Sequence, residues 1–529
     1  MKKTTIAFTV VILMMTLCCS MVKAEKSESQ IHRCVYRNTD FDYIILDDGT
    51  AEIVKVAWPA RELPGTLDGY TVTAIGERAY AAGNGSYEIP NSVTRIGDYA
   101  FSAQSIYNVV IPDSVISIGA NPFADCSDLQ NIYVSNNNPN FAVVNNVLFG
   151  KKDKRLIAYV PTLKDKEYEI PQGIKIIGDS AFSCAMHLEN IIIPESVEYI
   201  GSEAFRYCFD LDRLTLPNSI ISLGENLFDG LNSEIIVSPD HPTLSCVNGN
   251  LISKEEHKLI HCYLKISDYY VIPQEVEIIG AGALANKQVT KITIPDGVKQ
   301  IGKSAFSECT RLKTINLPDG IMYVADSLFM KCKSLTSIQL PEGITRIGNK
   351  AFAECENLSS INIPDGVTYI GNDAFAFCKN LSSISIPNGV TYIGDRAFEL
   401  NQLKEINIPE SVNYIGSAAF FSCPIKKAII SGGVEKIEQE TFANCDELTE
   451  VIIPDTVNSI GSHAFSGCYN LKNLVISENV TDIADNAFDG CHSLIITVKE
   501  KSYAEQYCIK NKLHYSYSTY SNSLDWLND

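Results

Sequence analysis

The chain repeats itself with a spacing of 22 or 23 residues over most of its 529-residue length. Each repeat carries a mark, usually Ile followed by Gly, and one regular unit runs IGNKAFAECENLSSINIP from Ile347 to Pro364. A unit this short cannot bury its apolar face alone, so neighbouring units must stack and share one core. The repeat therefore predicts a solenoid of stacked coils and argues against separate globular domains. The marks are Ile75, Ile96, Ile118, Ile177, Ile200, Leu223, Ile279, Ile301, Val324, Ile347, Ile370, Ile393, Ile415, Ile437, Ile460 and Ile483.

The regular unit also predicts the course of the chain within one coil. Leu358 to Ile363 alternates as a β-strand does, and Pro364 then removes the N–H that further pairing would need. Pro-Asp-Gly follows as a turn. Asn372 to Phe375 in the next unit is expected to be a short helical or irregular convex segment with Ala and Phe inward. With parallel strands ~4.8 Å apart, the sixteen marked coils predict a rod of roughly 75 to 85 Å.

Two columns of identical residues recur at fixed places in the unit. The Phe column is expected to form an internal ladder, and the Cys column raises the alternatives of a disulfide ladder or buried free thiols. In-register side chains on adjacent coils are ~4.8 Å apart, whereas a disulfide needs Cβ atoms at ~3.5 to 4.5 Å, so free thiols are favoured. The Phe column is Phe306, Phe329, Phe352, Phe375, Phe398, Phe420, Phe442, Phe465 and Phe488. The Cys column is Cys126, Cys184, Cys208, Cys309, Cys332, Cys355, Cys378, Cys423, Cys445, Cys468 and Cys491.

Two intervals interrupt the period, with 59 residues between Ile118 and Ile177 and 56 between Leu223 and Ile279. Each contains two apolar runs about a charged turn, NNVLFGKKDKRLIAYVP and NGNLISKEEHKLIHCYL, which predicts a β-hairpin projecting from the solenoid. Another hairpin and a helical segment are expected to cap the two ends. The predicted organisation is a signal peptide at 1–24, an N-terminal hairpin cap at 25–73, a repeat solenoid at 74–498 with insertions at about 134–170 and 236–272, and a C-terminal cap and tail at 499–529.

The first residues predict export. Two Lys precede an apolar run from Ile6 to Leu17, and a small-residue site ends at Ala24, as in a secretory signal peptide. The run is shorter than the ~20 residues that span a bilayer, so no membrane span is expected, and cleavage after Ala24 would release a secreted or cell-surface protein. A lipoprotein anchored through Cys18 or Cys19 is the alternative. It is disfavoured because Leu17 and Cys18 stand where a lipobox has Gly, Ala or Ser.

The charge balance disfavours polyanionic partners. The chain carries 43 basic and 63 acidic side chains, a formal net charge of −20. Binding to phosphate backbones or to anionic lipid headgroups needs clustered Lys and Arg. We therefore expect no nucleic-acid partner.

The motif Ile-Gly-x-x-Ala-Phe-x-x-Cys-x-x-Leu-x-x-Ile-x-Ile-Pro-x-x-Val resembles the BspA-like, Treponema-type leucine-rich repeat over about residues 41 to 498. The expected fold class is a β-rich α/β solenoid, a right-handed leucine-rich-repeat superhelix of ~23-residue coils with a parallel sheet, two inserted hairpins and terminal caps. The resemblance implies an extracellular or surface protein of a bacterium living with an animal host. Adhesion to host proteins or other cells is the function it implies.

The second insertion collects side chains that bind metals elsewhere: His241, Cys246, His257, His261 and Cys262. A zinc site is disfavoured, because His257 and His261 on one strand would be ~13 Å apart. A disulfide between Cys246 and Cys262 across the hairpin is left open.

Sequence motifs for catalysis and cofactors give no site. Gly297 to Ser304 matches the phosphate-loop pattern, but its glycines belong to the repeat, since neighbouring coils read GITRIGNK and GVTYIGND. Neither Gly-x-Ser-x-Gly nor His-Glu-x-x-His occurs in the sequence. No catalytic, cofactor or metal residue is predicted.

Two surface columns are the candidate ligand-binding residues. The tyrosine column, just before the marks, offers rings with polar tips, although inter-coil packing explains it equally simply. The strand-face row is polar in its first part and apolar in its second, which indicates either a contact site or ordinary β-branched stacking. The tyrosine column is Tyr323, Arg346, Tyr369, Tyr392 and Tyr414. The strand-face row is Asn316, Gln339, Asn362, Ser385, Asn407, Ile429, Ile452 and Val475.

The leading functional hypothesis is therefore a secreted or cell-surface, non-catalytic binding protein whose partner is a protein or a glycan. A structural envelope component without a host ligand is the alternative. A secreted enzyme is a minor third. The oligomeric state stays open.

Overall fold

A regular coil of the repeat contributes two short parallel strands, one more than the sequence predicts. Ser360–Asn362 pairs with Ser337–Gln339, with Ile361 opposite Ile338. The second strand, Tyr369–Ile370, coincides with the mark and pairs in parallel with its counterparts in the coils on either side. We call the first set of strands the strand-face ladder and the second set the mark ladder. The sequence does not predict the strands of the mark ladder, because a two-residue strand is too short to show an alternation of apolar and polar residues.

The computed structural model describes residues 31–57, 62–80, 84–228, 231, 233–263 and 268–517. The chain forms two units: Met1–Glu189 with Pro194–Asp210 and Ser222–Gly224, and Asn190–Ile193 with Leu211–Ile221 and Glu225–Asp529. Both are built from stacked parallel strands, and the described ranges contain a single α-helix. The predicted fold class is thereby confirmed.

The first unit begins with antiparallel strands and continues into the two parallel ladders. Its N-terminal sheet places the hairpin Thr39–Ile45 and Ala51–Val56, within the predicted cap, at the start of the mark ladder. The N-terminal and mark-ladder strands are His32–Tyr36, Thr39–Ile45, Ala51–Val56, Thr66–Leu67, Tyr70–Ile75, Arg95–Ile96, Ser117–Ile118, Ile176–Ile177, Tyr199–Ile200 and Ser222–Leu223. The strand-face strands are Asn84–Glu88, Ser105–Ile111, Asn131–Val134 and Glu167–Glu169, and the first insertion holds Phe141–Val144, Val147–Gly150 and Arg155–Tyr159.

The second unit has the same two ladders and the only described helix, Tyr503–Asn511. Its mark-ladder strands are Ile278–Ile279, Gln300–Ile301, Tyr323–Val324, Arg346–Ile347, Tyr369–Ile370, Tyr392–Ile393, Tyr414–Ile415, Lys436–Ile437, Ser459–Ile460 and Asp482–Ile483. Its strand-face strands are Asn190–Ile192, Arg213–Leu216, Glu234–Val237, Tyr269–Val271, Lys291–Thr293, Thr314–Ile315, Ser337–Gln339, Ser360–Asn362, Glu405–Ile408, Lys427–Ile430, Glu450–Ile452, Asn473–Val475, Ile495–Val498 and His514–Tyr517. The second insertion holds Leu244–Val247, Asn250–Ser253 and Lys258–Cys262.

The Phe column forms the predicted internal ladder in the second unit. From Phe306 to Phe488, adjacent rings stack with centroids 5.3 to 5.6 Å apart, and the rings are at most 4% exposed. Each ring between the two ends of the column is held between two identical rings by the repeat itself. The column is therefore continuous through nine coils of the core.

The Cys column consists of buried free thiols, as predicted. Ten of these thiols donate a hydrogen bond, with the sulfur 3.0 to 3.2 Å from a backbone carbonyl oxygen of the preceding coil. The acceptor belongs to the residue at the Phe-column position, for example Phe352 for Cys378. The same carbonyl also accepts the backbone N–H of Cys355 at 3.1 Å within its own turn, so the thiol provides a second hydrogen bond that ties one coil to the next.

The assignment of Cys184 to the Cys column was wrong. Cys184 follows Phe182 after one intervening residue, whereas the other cysteines follow their aromatic residue after two. Ala185 therefore takes the place of the thiol in this coil and is buried. The Cys184 sulfur lies 3.6 Å from Oδ1 of Asp125 instead.

The predicted convex segment is an irregular turn and not a helix. Asn372 to Phe375 forms turns, with Ala374 and Phe375 fully buried and Asp373 in the left-handed region at φ 53°. The Asn349 side-chain oxygen accepts a hydrogen bond from the Asn372 N–H at 2.9 Å, which ties one coil to the next. At Gly371 a Cβ would lie 2.6 Å from the Asn349 backbone nitrogen, so the glycine of the mark allows the coils to approach.

The insertions do not project from the solenoid, contrary to expectation. Each is a three-stranded antiparallel meander whose last strand joins the mark ladder, pairing in parallel with Ile176–Ile177 or Ile278–Ile279. Most of their apolar residues are buried, and Leu156 and Leu259 are fully so, whereas Val144 and Val247 are exposed. Because the inner face of each insertion is apolar, the insertion packs against the core as a further coil of the solenoid.

The C-terminal cap is the helix Tyr503–Asn511, close to the predicted segment. The Ser502 hydroxyl caps its N-terminus by accepting from the Glu505 N–H at 3.2 Å. Tyr507 is buried and meets Phe488 edge-on, at a centroid distance of 6.2 Å. The helix thereby covers the last ring of the Phe column. No helix in the described ranges is long and apolar enough to cross a bilayer.

Candidate ligand-binding surface

The mark ladder aligns all five members of the tyrosine column in register. Tyr323 is opposite Arg346, Arg346 opposite Tyr369, Tyr369 opposite Tyr392, and Tyr392 opposite Tyr414. In each two-residue strand the second residue points into the core, so the first points outward. The column therefore lies on the outer face of its sheet.

The rings of the tyrosine column stack on one another. Tyr369 and Tyr392 have centroids 4.8 Å apart with nearly parallel planes, and Tyr392 and Tyr414 are 4.9 Å apart. The Arg346 guanidinium lies over the Tyr369 ring at 4.3 Å, a cation–π contact that continues the stack. The faces of the rings thus contact the neighbouring coils, whereas the ring edges and hydroxyls are available to contact a ligand.

The phenols of Tyr392 and Tyr414 stay protonated at neutral pH. Partial burial raises the pKa of Tyr414 to about 12, and the neighbouring Asp395 carboxylate adds to the shift. Burial also raises the pKa of Tyr392, assisted by Tyr369. These two tyrosines therefore present neutral hydroxyl groups that both donate and accept hydrogen bonds.

A depression of about 470 Å³ opens at the Arg346 end of the column. Tyr323 and Arg346 line it together with residues that the sequence did not single out as a ligand site. In the sequence, Lys303 stands out only as part of the segment that matches the phosphate-loop pattern. Gln300 and Glu225 cannot be recognised as site residues from the sequence, because the wall is formed by side chains from different coils. The lining residues with polar side chains are Glu225, Gln300, Lys303, Tyr323, Asp326 and Arg346.

The strand-face row belongs to the other ladder, so the two candidate columns lie on different sheets. Gln339 is opposite Asn362, and Asn407 is in register with Ile429 and Ile452. Asn316 is exposed and directly follows the strand Thr314–Ile315. Ser385 is exposed in a coil whose corresponding segment is not assigned as a strand, and Val475 is on the strand after Ile452. The apolar end of the row reaches solvent, with Ile452 46% and Val475 63% exposed and Ile429 half-buried.

The polar residues of the second insertion have structural roles. The His241 ring accepts from the backbone N–H groups of Thr243 and Leu244 and lies 3.1 Å from the Pro217 carbonyl oxygen. Asn138 makes the equivalent three contacts in the first insertion. The His side chain therefore replaces an amide that shapes the same turn.

The remaining residues of that group also give no metal site. Cys246 and Cys262 are not joined to each other, so the structure does not contain the disulfide left open above. His261 is buried against Phe228, with ring centroids 4.9 Å apart. In the part of the chain that the structure describes, no three His, Cys, Asp or Glu side chains are grouped to hold a metal ion.

The comparisons with known proteins agree with the repeat. The model of the family described as BspA type leucine rich repeat region matches in six copies, over residues 66–151, 160–246, 277–399 and 368–495. A comparison with curated proteins gives no match.

Among solved structures, the chain is similar to a leucine rich cell surface protein from Faecalibacterium prausnitzii, at 28% identity and a TM-score of 0.41, covering 65% of this chain and 92% of that one. It is also similar to a leucine-rich repeat protein from Bacteroides ovatus, at 21% identity and a TM-score of 0.38, covering 90% and 98%. The pneumococcal vaccine antigen PcpA matches at 17% identity and a TM-score of 0.29, covering 92% and 98%.

Proposed function

The chain belongs to the BspA type leucine-rich repeat family, and from that premise we propose that it is a secreted or cell-surface binding protein without catalytic activity of its own. Its partner is a protein or a glycan of another cell. The observation that carries the proposal is the tyrosine column, an in-register stack of aromatic rings on an outer sheet face with a cation at one end. Aromatic residues and Arg contribute most strongly to binding surfaces.

The stacked column is suited to binding because it is already ordered. Each ring is fixed by its neighbours and by the ladder beneath it, so little side-chain entropy is lost when a partner binds. The half-buried rings Tyr369, Tyr392 and Tyr414 offer apolar edges and hydroxyls along one line. Such a line matches an extended partner, a saccharide chain or a peptide segment, better than a compact small molecule.

The proposal includes export through the predicted signal peptide. The cleavage site after Ala24 and the alternative lipid sites Cys18 and Cys19 lie outside the described residues. Mass spectrometry of the purified native protein tests this part. A mature N-terminus at Glu25 supports a released chain, and a lipid-modified Cys18 or Cys19 supports an anchored one.

The binding function is tested with a glycan array and with immobilised extracellular-matrix proteins. We expect at least one ligand to bind, and the triple variant Tyr369→Ser/Tyr392→Ser/Tyr414→Ser to bind it about tenfold or more weakly. The matched control is Tyr469→Ser/Tyr503→Ser, which removes exposed tyrosines outside the column and is expected to bind normally. Equal binding by the two variants would reject the column as the binding surface.

A second candidate function, a structural envelope component, is favoured by the exposed apolar end of the strand-face row. Ile452 and Val475 are both large, apolar and exposed on one sheet. Self-association through this strip is tested by sedimentation of Val475→Lys against the unaltered chain. Concentration-dependent assembly that the variant abolishes, together with no binding on the arrays, would favour the structural role.

A further inference from the structure

The stack of the tyrosine column is interrupted at Arg346. One face of its guanidinium lies over Tyr369, at 4.3 Å from the ring centroid, and Tyr369 is the one ring of the described ranges that it covers. Tyr323, the next residue in register, does not continue the stack and is 41% exposed. The interruption leaves the other side of Arg346 and the ring of Tyr323 on the wall of the depression.

Arg346 is the uncompensated cation of that depression. The Lys303 ammonium is paired with Glu225, Nζ to Oε2 at 3.5 Å, and Oδ1 of Asp326 accepts a hydrogen bond from the Asn349 backbone N–H at 2.8 Å. Within the described ranges no carboxylate forms an ion pair with Arg346. A planar guanidinium fixed on one face by an aromatic ring is arranged to bind a carboxylate with two parallel N–H groups.

We propose that this depression binds a single carboxylated sugar, with the carboxylate on the Arg346 guanidinium and an apolar face of the sugar ring on Tyr323. The proposal rests on the binding function proposed above and names its ligand class. The volume of about 470 Å³ holds one or two sugar rings, more space than one acidic side chain fills. Gln300 and the Tyr323 hydroxyl, on the same wall, supply groups that pair with sugar hydroxyls.

An acidic peptide or a polyanionic saccharide is a poorer match. The chain carries a formal net charge of −20, so it repels a negatively charged ligand at long range. This repulsion is larger for a ligand with a run of negative charges than for a ligand with a single carboxylate. The local wall also includes Glu225 and Asp326, which oppose additional carboxylates beside the first. The geometry therefore favours one acidic group on an otherwise neutral, hydroxyl-rich ligand.

The test is isothermal titration of the purified chain with N-acetylneuraminic acid and with D-glucuronic acid, and with D-glucose as the neutral counterpart. We expect at least one of the acids to bind and glucose to bind about tenfold more weakly or not at all. Arg346→Gln should weaken binding of the acid about tenfold to a hundredfold, as expected for loss of a charged hydrogen-bond donor. Tyr323→Ala should weaken acid and neutral sugars alike.

The matched control is Arg95→Gln. Arg95 occupies the same position before its mark, but its guanidinium is paired with Glu52, NH2 to Oε2 at 3.1 Å, so the variant should bind as the unaltered chain does. Thermal unfolding of each variant shows that the coils remain folded.

Several outcomes overturn the inference. They are equal affinity for glucuronic acid and glucose, unchanged affinity in Arg346→Gln, or a preference for a glutamate-rich peptide over both acids. If the arrays described above show binding and the acids do not bind, the inference fails and the proposed function stands. If neither assay shows binding, both fail.

Discussion

The second unit contains two aromatic columns, one inside its core and one on its surface. The Phe column has centroid spacings of 5.3 to 5.6 Å, and the tyrosine column has spacings of 4.8 and 4.9 Å. The rings of the first are buried, whereas the stacked rings Tyr369, Tyr392 and Tyr414 of the second are half-buried. A regular repeat places like residues in contact wherever they lie, so stacking by itself indicates neither stability nor binding. Burial and access to solvent are what separate the two roles.

Removing one buried ring should have the largest effect on stability. We expect Phe375→Ala to lower the free energy of unfolding by ~3 to 5 kcal/mol, because it leaves a cavity between two rigid rings. Phe375→Leu is the matched control, since Leu284 holds the same position in another coil and is fully buried; its cost should stay near ~1 to 1.5 kcal/mol. Urea unfolding measures both, and equal losses would show that ring stacking contributes little to the core.

The Cys column should make the stability of the buried core sensitive to alkali. Burial raises the pKa of the Cys378 thiol from its ordinary value of 9 to about 12. The folded state therefore keeps a proton that the unfolded state loses, and stability present below pH 9 is lost as the pH rises toward 12. Each such thiol should lower the free energy of unfolding by ~1.4 kcal/mol per pH unit within that window.

The measurement is urea unfolding of Cys378→Ala and of the unaltered chain, under reducing conditions, at several pH values between 8 and 10.5. Alanine fits this position, since Ala185 occupies it in another coil. We expect the variant to be less stable at pH 8 and the difference to shrink above pH 9, because the variant has one thiol fewer to titrate. A difference that is independent of pH would contradict the account of the Cys column.

The sequence was sufficient for the features that the period controls directly. Stacked coils, strands such as Ser360–Asn362, the buried Phe column and the register of the tyrosine column all follow from residues repeating 22 or 23 positions apart. It was insufficient where one residue is added or lost, as at Cys184, and where an element is too short to alternate, as at Tyr369–Ile370. It also missed the hydrogen bond of each thiol, which depends on the direction of a carbonyl.

The candidate site shows the same limit. The period places Tyr323 beside Arg346, but only coordinates reveal that Tyr323 leaves the stack and opens a depression. Glu225 and Lys303 meet there although they are far apart in sequence, and no pattern within one repeat encodes that pair. Repeats therefore predict columns well, whereas the interruptions that create a site depend on individual side chains.

The buried imidazole ring of His261 provides a further test of how burial affects stability. His261 is buried beside Phe228, and its Nε2 has no hydrogen-bond partner within the described ranges. Burial, with a smaller contribution from the Lys287 ammonium, lowers the pKa of His261 well below 6.5. The unfolded state then binds the proton more readily, so stability is complete above about pH 6.5 and falls by ~1.4 kcal/mol per pH unit below it.

The comparison variant is His261→Ala, because Ala158 holds the matching place in the first insertion and is buried there. Unfolding followed between pH 7.5 and 5 should show a shallower loss of stability on acidification for the variant than for the unaltered chain. Parallel curves would mean that His261 reaches water or a proton acceptor in the folded protein.

The smallest effect should come from the surface column. Tyr392→Ala removes the middle ring of the exposed stack, and we expect it to lower the free energy of unfolding by only ~0.5 to 1.5 kcal/mol, the range for an aromatic pair. Urea unfolding beside Phe375→Ala makes the comparison direct, since both variants delete a ring between two neighbours. If Tyr392→Ala costs as much as Phe375→Ala, the surface rings belong to the structural core. A small cost instead means that selection for stability alone does not account for three tyrosines in register.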